Sequence, residues 1–212
     1  NGRSTEFLET GNEVSKEDIE KFIYEFKNII KDSTIITLSG SVPKGVDINI
    51  YKTLINIAKN EGKQVILDTS GIYLQKGIEA IPTMIKPNND ELSVLLNKDI
   101  LSRDDLIDAG KQLFEKGINK VVISLGKDGA LLICNEGVFH GKPPEIKAIN
   151  TVGCGDSMVA AFAVAFEREY TNKEALKYAV AVSAANAMNK NTGKFEKKDF
   201  EYIFPKVKVN KI

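Results

Sequence analysis

The chain has 212 residues, is 42% hydrophobic and carries 29 basic and 29 acidic side chains, so its formal charge is zero. That length and apolar content support one substantial core and argue against disorder. A balanced charge without a long basic run excludes the electrostatic footprint that nucleic acid or an anionic membrane surface requires, so an anionic ligand must be held locally.

The opening NGRSTEFLET begins without Met and alternates like a strand. It reads as the remainder of something longer, with an exposed strand expected near residues 5–10. Such a strand could pair with another chain, as in a homodimer, or with the absent segment. Ser15-Lys16-Glu17-Asp18 then resembles a helix start, and Ile19, Phe22, Ile23, Phe26, Ile29 and Ile30 recur at the spacing of one helical face. TIITLSG is a short β-branched run, followed by the turn SVPKGV, a helix from about Asp47 to Asn60 and the buried strand QVILDTS. A short helix is expected from Ile72 to Gly77, then the strand TMIKPN, a helix through ELSVLL and another after Ser102. KVVISLG is a further apolar strand, KDG turns into ALLICN, and a second turn at Glu136-Gly137 predicts a hairpin, the one antiparallel insertion expected in the middle of the chain. After IKAIN come a glycine turn and two Ala-rich helices, Gly155 to about Glu167 and about Lys173 to Asn189.

Buried runs separated by amphipathic helices predict a parallel sheet with right-handed crossovers in a layered α/β fold. Ligands of such sheets sit at the carboxyl ends of the strands. Ser39-Gly40-Ser41, Asp68-Thr69-Ser70, Lys86-Pro87-Asn88, Ser124-Leu125-Gly126 and Asn150 to Asp156 all fall there, which predicts a crevice along one rim. Cys134 and Cys154 are far apart and lack a CxxC spacing, so no disulfide framework, zinc site or redox pair is expected, and reduced thiols fit a cytoplasmic protein. No apolar run reaches about 18 residues and no charged-then-apolar leader is present, so neither a membrane span nor a signal peptide is expected.

The glycine turn NTVGCGDSM is neither a Walker loop, because no Lys follows Gly155, nor a dinucleotide fingerprint, because Met158 stands where a third glycine belongs. It remains a glycine pair at a helix N-terminus, where unpaired N–H groups and the helix dipole favour an anion. Asp156 is either a favourable charge on that helix end or a base that takes a proton from a substrate hydroxyl beside a transferring phosphoryl group. Asn88 and Glu91 are three apart, an N-cap with an acidic first turn or a pair ordering waters around Mg2+. Lys44 either solvates its turn or meets a sugar phosphate. His140 reads as a surface or satisfied histidine, Cys134 as core, and Cys154 as a small side chain tolerated in the turn ahead of an acidified thiol.

NTVGCGDSMVAAF resembles the carboxyl-terminal signature of the ribokinase-like PfkB carbohydrate kinases. VVISLGKDGA, IKPNNDEL, VILDTSG and SGSVPKG stand in the order and spacing of that family's sugar-phosphate branch, which holds 1-phosphofructokinases and tagatose-6-phosphate kinases. The resemblance covers nearly the whole chain. It implies a three-layer α/β/α sandwich with a mostly parallel central sheet, residues 1–212 being the carboxyl-terminal portion of one kinase domain with its lid region largely absent. It further implies phosphoryl transfer from MgATP to a hydroxyl of a ketohexose phosphate, with fructose 1-phosphate narrowly favoured over tagatose 6-phosphate.

In that family Asp156 matches the catalytic base facing the sugar, and Gly153, Cys154 and Gly155 match the backbone anion hole. Asn88 and Glu91 match an NxxE element near magnesium and the phosphates, Glu91 acting through water. Ser124, Leu125, Gly126, Lys127, Asp128 and Gly129 fall where nucleotide binds, joined by Lys86, Asn88 and Gly155. Ser39, Gly40 and Ser41, with Lys44, fall on the sugar-phosphate side. Two departures stand out: Cys154 replaces the more usual alanine while keeping its N–H, and the family's amino-terminal substrate aspartate and GGKG-type stretch are not in this sequence. The competing readings are a nucleotide-binding module without turnover, which need not keep Asp156 and Glu91, and a nucleoside or vitamin kinase, against which SGSVPKG and DTSG speak.

Overall fold

In the computed structural model residues 11–212 are described, and the strand expected near residues 5–10 lies outside them. Helix α1 (Lys16–Ile29) begins where its cap dictates, with the Ser15 hydroxyl accepting the Asp18 N–H at 3.1 Å. Ile19, Ile23 and Phe26 turn inward from it, whereas Phe22 and Ile29 stay exposed. Then follow β1 (Ile35–Ser39), α2 (Ile50–Asn60), β2 (Gln64–Asp68), α3 (Gly71–Gly77), β3 (Met84–Ile85), α4 (Asn89–Leu96), α5 (Arg103–Glu115) and β4 (Lys120–Ser124). α2 starts later than expected because the Asp47 carboxylate takes the Asn49 N–H at 2.7 Å and closes a turn first. β3 is shorter than TMIKPN because Pro87 has no N–H for the ladder.

The expected hairpin is β5 (Ala130–Cys134) with β6 (Gly137–Lys142), and α6 (Cys154–Glu167) and α7 (Asn172–Ala187) are the two Ala-rich helices. α8 (Lys197–Ile203) and β7 (Lys208–Lys211) follow, neither announced by a clear apolar period in the sequence. Among the described residues the strands form one seven-stranded sheet in the order β1-β2-β3-β4-β5-β6-β7. β1 to β4 are parallel, whereas β5, β6 and β7 join antiparallel, so β7 extends the antiparallel part beyond the hairpin.

Alternation along β2 explains the layers. Val65 and Leu67 face a core shared with α1 to α5, Ile66 faces a second core under α6 to α8, and all three are fully buried. The result is a three-layer α/β/α sandwich. No helix among the described residues is long and apolar enough to cross a membrane.

Candidate active site

The parallel strands release their carboxyl ends on one rim, and register fixes their neighbours. Ser39 pairs with Asp68 across β1 and β2. The Lys86 N–H reaches the Leu67 carbonyl at 3.3 Å, which sets Lys86 beside Asp68, and Asn88 bridges to Ser124. α6 begins over this row: a Cβ on Gly155 would lie 3.3 Å from Lys86 Nζ.

Lys86 is only 7% exposed, and its ammonium is 3.2 Å from Asp68 Oδ1. Burial pushes the Asp68 carboxyl above its ordinary range; Lys86 offsets part of that, and Glu91 and Asp156 add to it. One ammonium therefore shares its neighbourhood with three carboxylates. Such an excess of negative charge suits a divalent cation or a cation-bearing ligand.

Gly153 caps α6 with φ +80°, and a side chain there would meet Thr192 Cγ2 at 2.7 Å and the Gly193 nitrogen at 3.0 Å. Backbone sign and crowding both require glycine. Side chains brace the turn from outside. Asn150 accepts the Val152 N–H at 3.0 Å and donates to the Lys190 carbonyl at 3.2 Å. Ser183 donates to the Cys154 carbonyl at 3.0 Å, and Asn186, fully buried, donates to the Val152 carbonyl and to Cys154 Sγ, each at 3.2 Å.

The Cys154 N–H, expected as an anion donor, is used within the turn, 3.2 Å from the Thr151 carbonyl. Closing the turn occupies that amide. The Ser157 N–H is likewise on the Gly153 carbonyl, at 2.9 Å. Gly155 and Asp156, second and third in the helix, offer N–H groups that meet no acceptor among the described residues. The Asp156 side chain is exposed beside them.

Asn88 and Glu91 form a capping box. Asn88 Oδ1 accepts the Glu91 N–H and Glu91 Oε2 accepts the Asn88 N–H, both at 2.9 Å. Capping leaves Glu91 Oε1 without a hydrogen bond among the described residues. The turn after β4 is closed by the Leu125 N–H on the Gly129 carbonyl at 2.8 Å, with Gly126, Lys127 and Asp128 exposed. His140 is a satisfied histidine, its Nε2 2.8 Å from the Asp128 carbonyl. On the other flank Ser39, Gly40 and Ser41 are exposed, and the Gly40 carbonyl accepts from Thr69 at 2.7 Å and Tyr51 at 2.9 Å. Lys44 is exposed in the following turn, tied in through its carbonyl to the Val14 N–H at 2.9 Å, and its ammonium makes no ion pair with the described residues.

Sequence reasoning named Asp68 only as a strand exit, and did not single out Asn150 or Asn186. The signals were present. Asp68 is the one charge closing an otherwise apolar run, and Ser183 and Asn186 are three apart on one face of an Ala-rich helix.

A sandwich whose parallel strand ends meet a glycine-led helix start defines a ribokinase-like sugar kinase. Residues 1–199 match the description "pfkB family carbohydrate kinase", and the chain belongs to that family. It is 33% identical over 211 residues to a Bacillus subtilis 1-phosphofructokinase, covering 100% of this chain and 69% of that protein. It is 36% identical over 211 residues to a Staphylococcus epidermidis tagatose-6-phosphate kinase, covering 98% of this chain and 68% of that protein. Among solved structures, phosphofructokinase-2 from Escherichia coli in complex with potassium superposes with a TM-score of 0.90 at 30% identity, over 97% of this chain and 67% of that one. The chain thus spans about two thirds of the length of these relatives.

Proposed function

We propose that the chain transfers the terminal phosphoryl group of ATP to a hydroxyl of a ketohexose phosphate, with fructose 1-phosphate the favoured acceptor and tagatose 6-phosphate close behind. The observation that carries this reading is the pair of unclaimed N–H groups on Gly155 and Asp156 beside the exposed Asp156 carboxylate, with Lys86 packed against Gly155. The names of the two curated relatives support both acceptors at similar identity.

In this reading Asp156 accepts the proton of the sugar hydroxyl as its oxygen bonds to the terminal phosphorus. The bond from that phosphorus to the bridging oxygen breaks and ADP leaves. The Gly155 and Asp156 N–H groups, at the positive end of α6, stabilise the charge spread over the moving phosphoryl oxygens. Lys86, held by Asp68, lies along the phosphates. Asn88 and Ser124 to Gly129 hold the nucleotide from the next strand ends, and Ser39 to Ser41 with Lys44 face the sugar phosphate.

Among the described residues no group of three or more His, Cys, Asp or Glu side chains is placed to hold a metal ion alone. Mg2+ fits a different arrangement, because it keeps several waters and takes one or two carboxylates together with phosphate oxygens. The free oxygen of Glu91 and the Asp68 carboxylate are suitable hard donors. When bound, Mg2+ neutralises phosphate charge.

A coupled assay with fructose 1-phosphate, tagatose 6-phosphate and fructose 6-phosphate tests the acceptor, and kcat/KM should be highest with fructose 1-phosphate. Negligible turnover on all three would overturn the reading. Asp156→Asn should lower kcat by about 10² to 10⁴-fold, the usual worth of a general base, while ATP still binds.

A further inference from the structure

Asn186 is out of keeping with its surroundings. It stands near the end of α7 among the buried Ala181, Ala184, Ala185 and Ala187, and is itself fully buried. Its amide nitrogen lies 3.2 Å from the Val152 carbonyl oxygen and 3.2 Å from Cys154 Sγ, while its Oδ1 has no hydrogen-bond partner. Turning the carboxamide over would set oxygen against the Val152 carbonyl oxygen and strand the nitrogen instead, so the two acceptors fix this orientation. An unpaired acceptor in the interior costs stability, and an apolar side chain would suit this helix face better. Stability therefore does not account for an amide at this position.

What the amide holds is the glycine turn. Val152 precedes Gly153 and Cys154 follows it, so one nitrogen ties the chain on both sides of the residue at φ +80°. The tie matters because glycine resists neither that backbone angle nor its loss. Ser183, about one turn earlier on α7, adds a tie to the Cys154 carbonyl at 3.0 Å. Gly155 and Asp156 come next, and their N–H groups meet no acceptor among the described residues, so the turn alone sets their direction. A clamp across residues 152 to 154 is therefore a clamp on those two amides. Val152 is 59% exposed, so without the clamp its carbonyl can swing toward water, and the rotation passes through Gly153 into the start of α6.

We infer that Asn186 is a positioning residue for phosphoryl transfer: reaching from α7 across Gly153, it aims the Gly155 and Asp156 N–H groups at the place where charge develops on the moving phosphoryl group. Cys154 supplies its second acceptor, so the two side chains act as a pair. The inference rests on the proposed function for the reaction, and on the geometry alone for the direction of the amides. Donors aimed in advance act on the transition state, whereas in that reading ATP in its ground state is held as well by Lys86 and the turn after β4. Loss of Asn186 therefore shows in kcat and leaves the KM for ATP nearly unchanged.

Asn186→Leu keeps the branching of the side chain and removes both the donor and the unpaired acceptor. The variant should unfold at or above the wild-type temperature, while kcat falls by about tenfold or more and the KM for ATP stays within about twofold. A merely structural role gives the reverse, a lower unfolding temperature with kcat per folded molecule unchanged, and that result would overturn the inference. The NMR amide signals of Gly155 and Asp156 should shift or broaden, and those of Gly126 and Gly129 should not. Cys154→Ala should lower kcat by less, and in the Asn186→Leu background should lower it no further. Asn186→Ala carries the same test if leucine overfills the site. Absence of wild-type turnover on all three ketohexose phosphates would overturn the proposed function and not the clamp, which the amide signals then decide. Unchanged signals at Gly155 and Asp156 in both Asn186 variants would overturn the clamp itself.

Discussion

Asp68 and Lys86 show how one residue pair can set the chemistry of a rim. Among the described residues Asp68 is the one carboxylate within ion-pair distance of the buried Lys86 ammonium, and that contact fixes where the ammonium sits. Asp68→Asn should therefore release Lys86 from its place against Gly155 and raise the KM for ATP by about ten- to a hundredfold, the worth of a hydrogen bond between charged groups. The same residue predicts a pH dependence. Because burial raises its folded pKa above the ordinary 3.8, the folded state binds the proton more tightly than the unfolded chain. Its contribution to stability is full below that ordinary value and is lost as pH rises through the raised one. Thermal unfolding across this acid window should show wild type losing stability relative to Asp68→Asn as pH increases, and parallel curves would exclude Asp68 as the group responsible.

At the scale of elements, the start of α6 depends on Gly153. Gly153→Ala would place an L-residue at φ +80°, a cost of about 1–2 kcal/mol, and would drive its methyl into the segment around Thr192. We expect a lower unfolding temperature together with a fall in kcat larger than any loss of ATP affinity, since the displaced amides are those proposed to meet the moving phosphoryl group. Much of this organisation was legible in the chain itself. The apolar period and Ser15 cap place α1, and the strand-end rule gathers Ser39, Lys86, Asn88, Ser124 and the glycine turn on one rim. What stayed hidden depends on contacts between distant residues. The Asp68–Lys86 pair follows from the register of β2 against β3, which neither strand encodes alone. The use of the Cys154 amide follows from the path of the turn back to Thr151. α8 is only seven residues long, too short to display a period, and rings of Tyr170, Tyr178, Phe195, Phe200 and Phe204 from separate segments pack together around it.

For the whole molecule, the carboxyl-terminal residues finish the second core. Val207 is 5% exposed within it, and β7 covers the outer side of β6, where the Ile212 N–H also reaches the Val138 carbonyl at 2.9 Å. Deleting residues 205–212 should cost about 1.5–3 kcal/mol for Val207 burial alone and uncover the β6 edge. Calorimetry should show the lower unfolding temperature, and light scattering the association of the truncated chain. An unchanged transition would mean that α8 closes the core without β7. The lysines of β7 also bear on assembly: Lys208 and Lys211 put charge on the last strand of the sheet, so two such strands laid side by side would bring like charges together and resist joining.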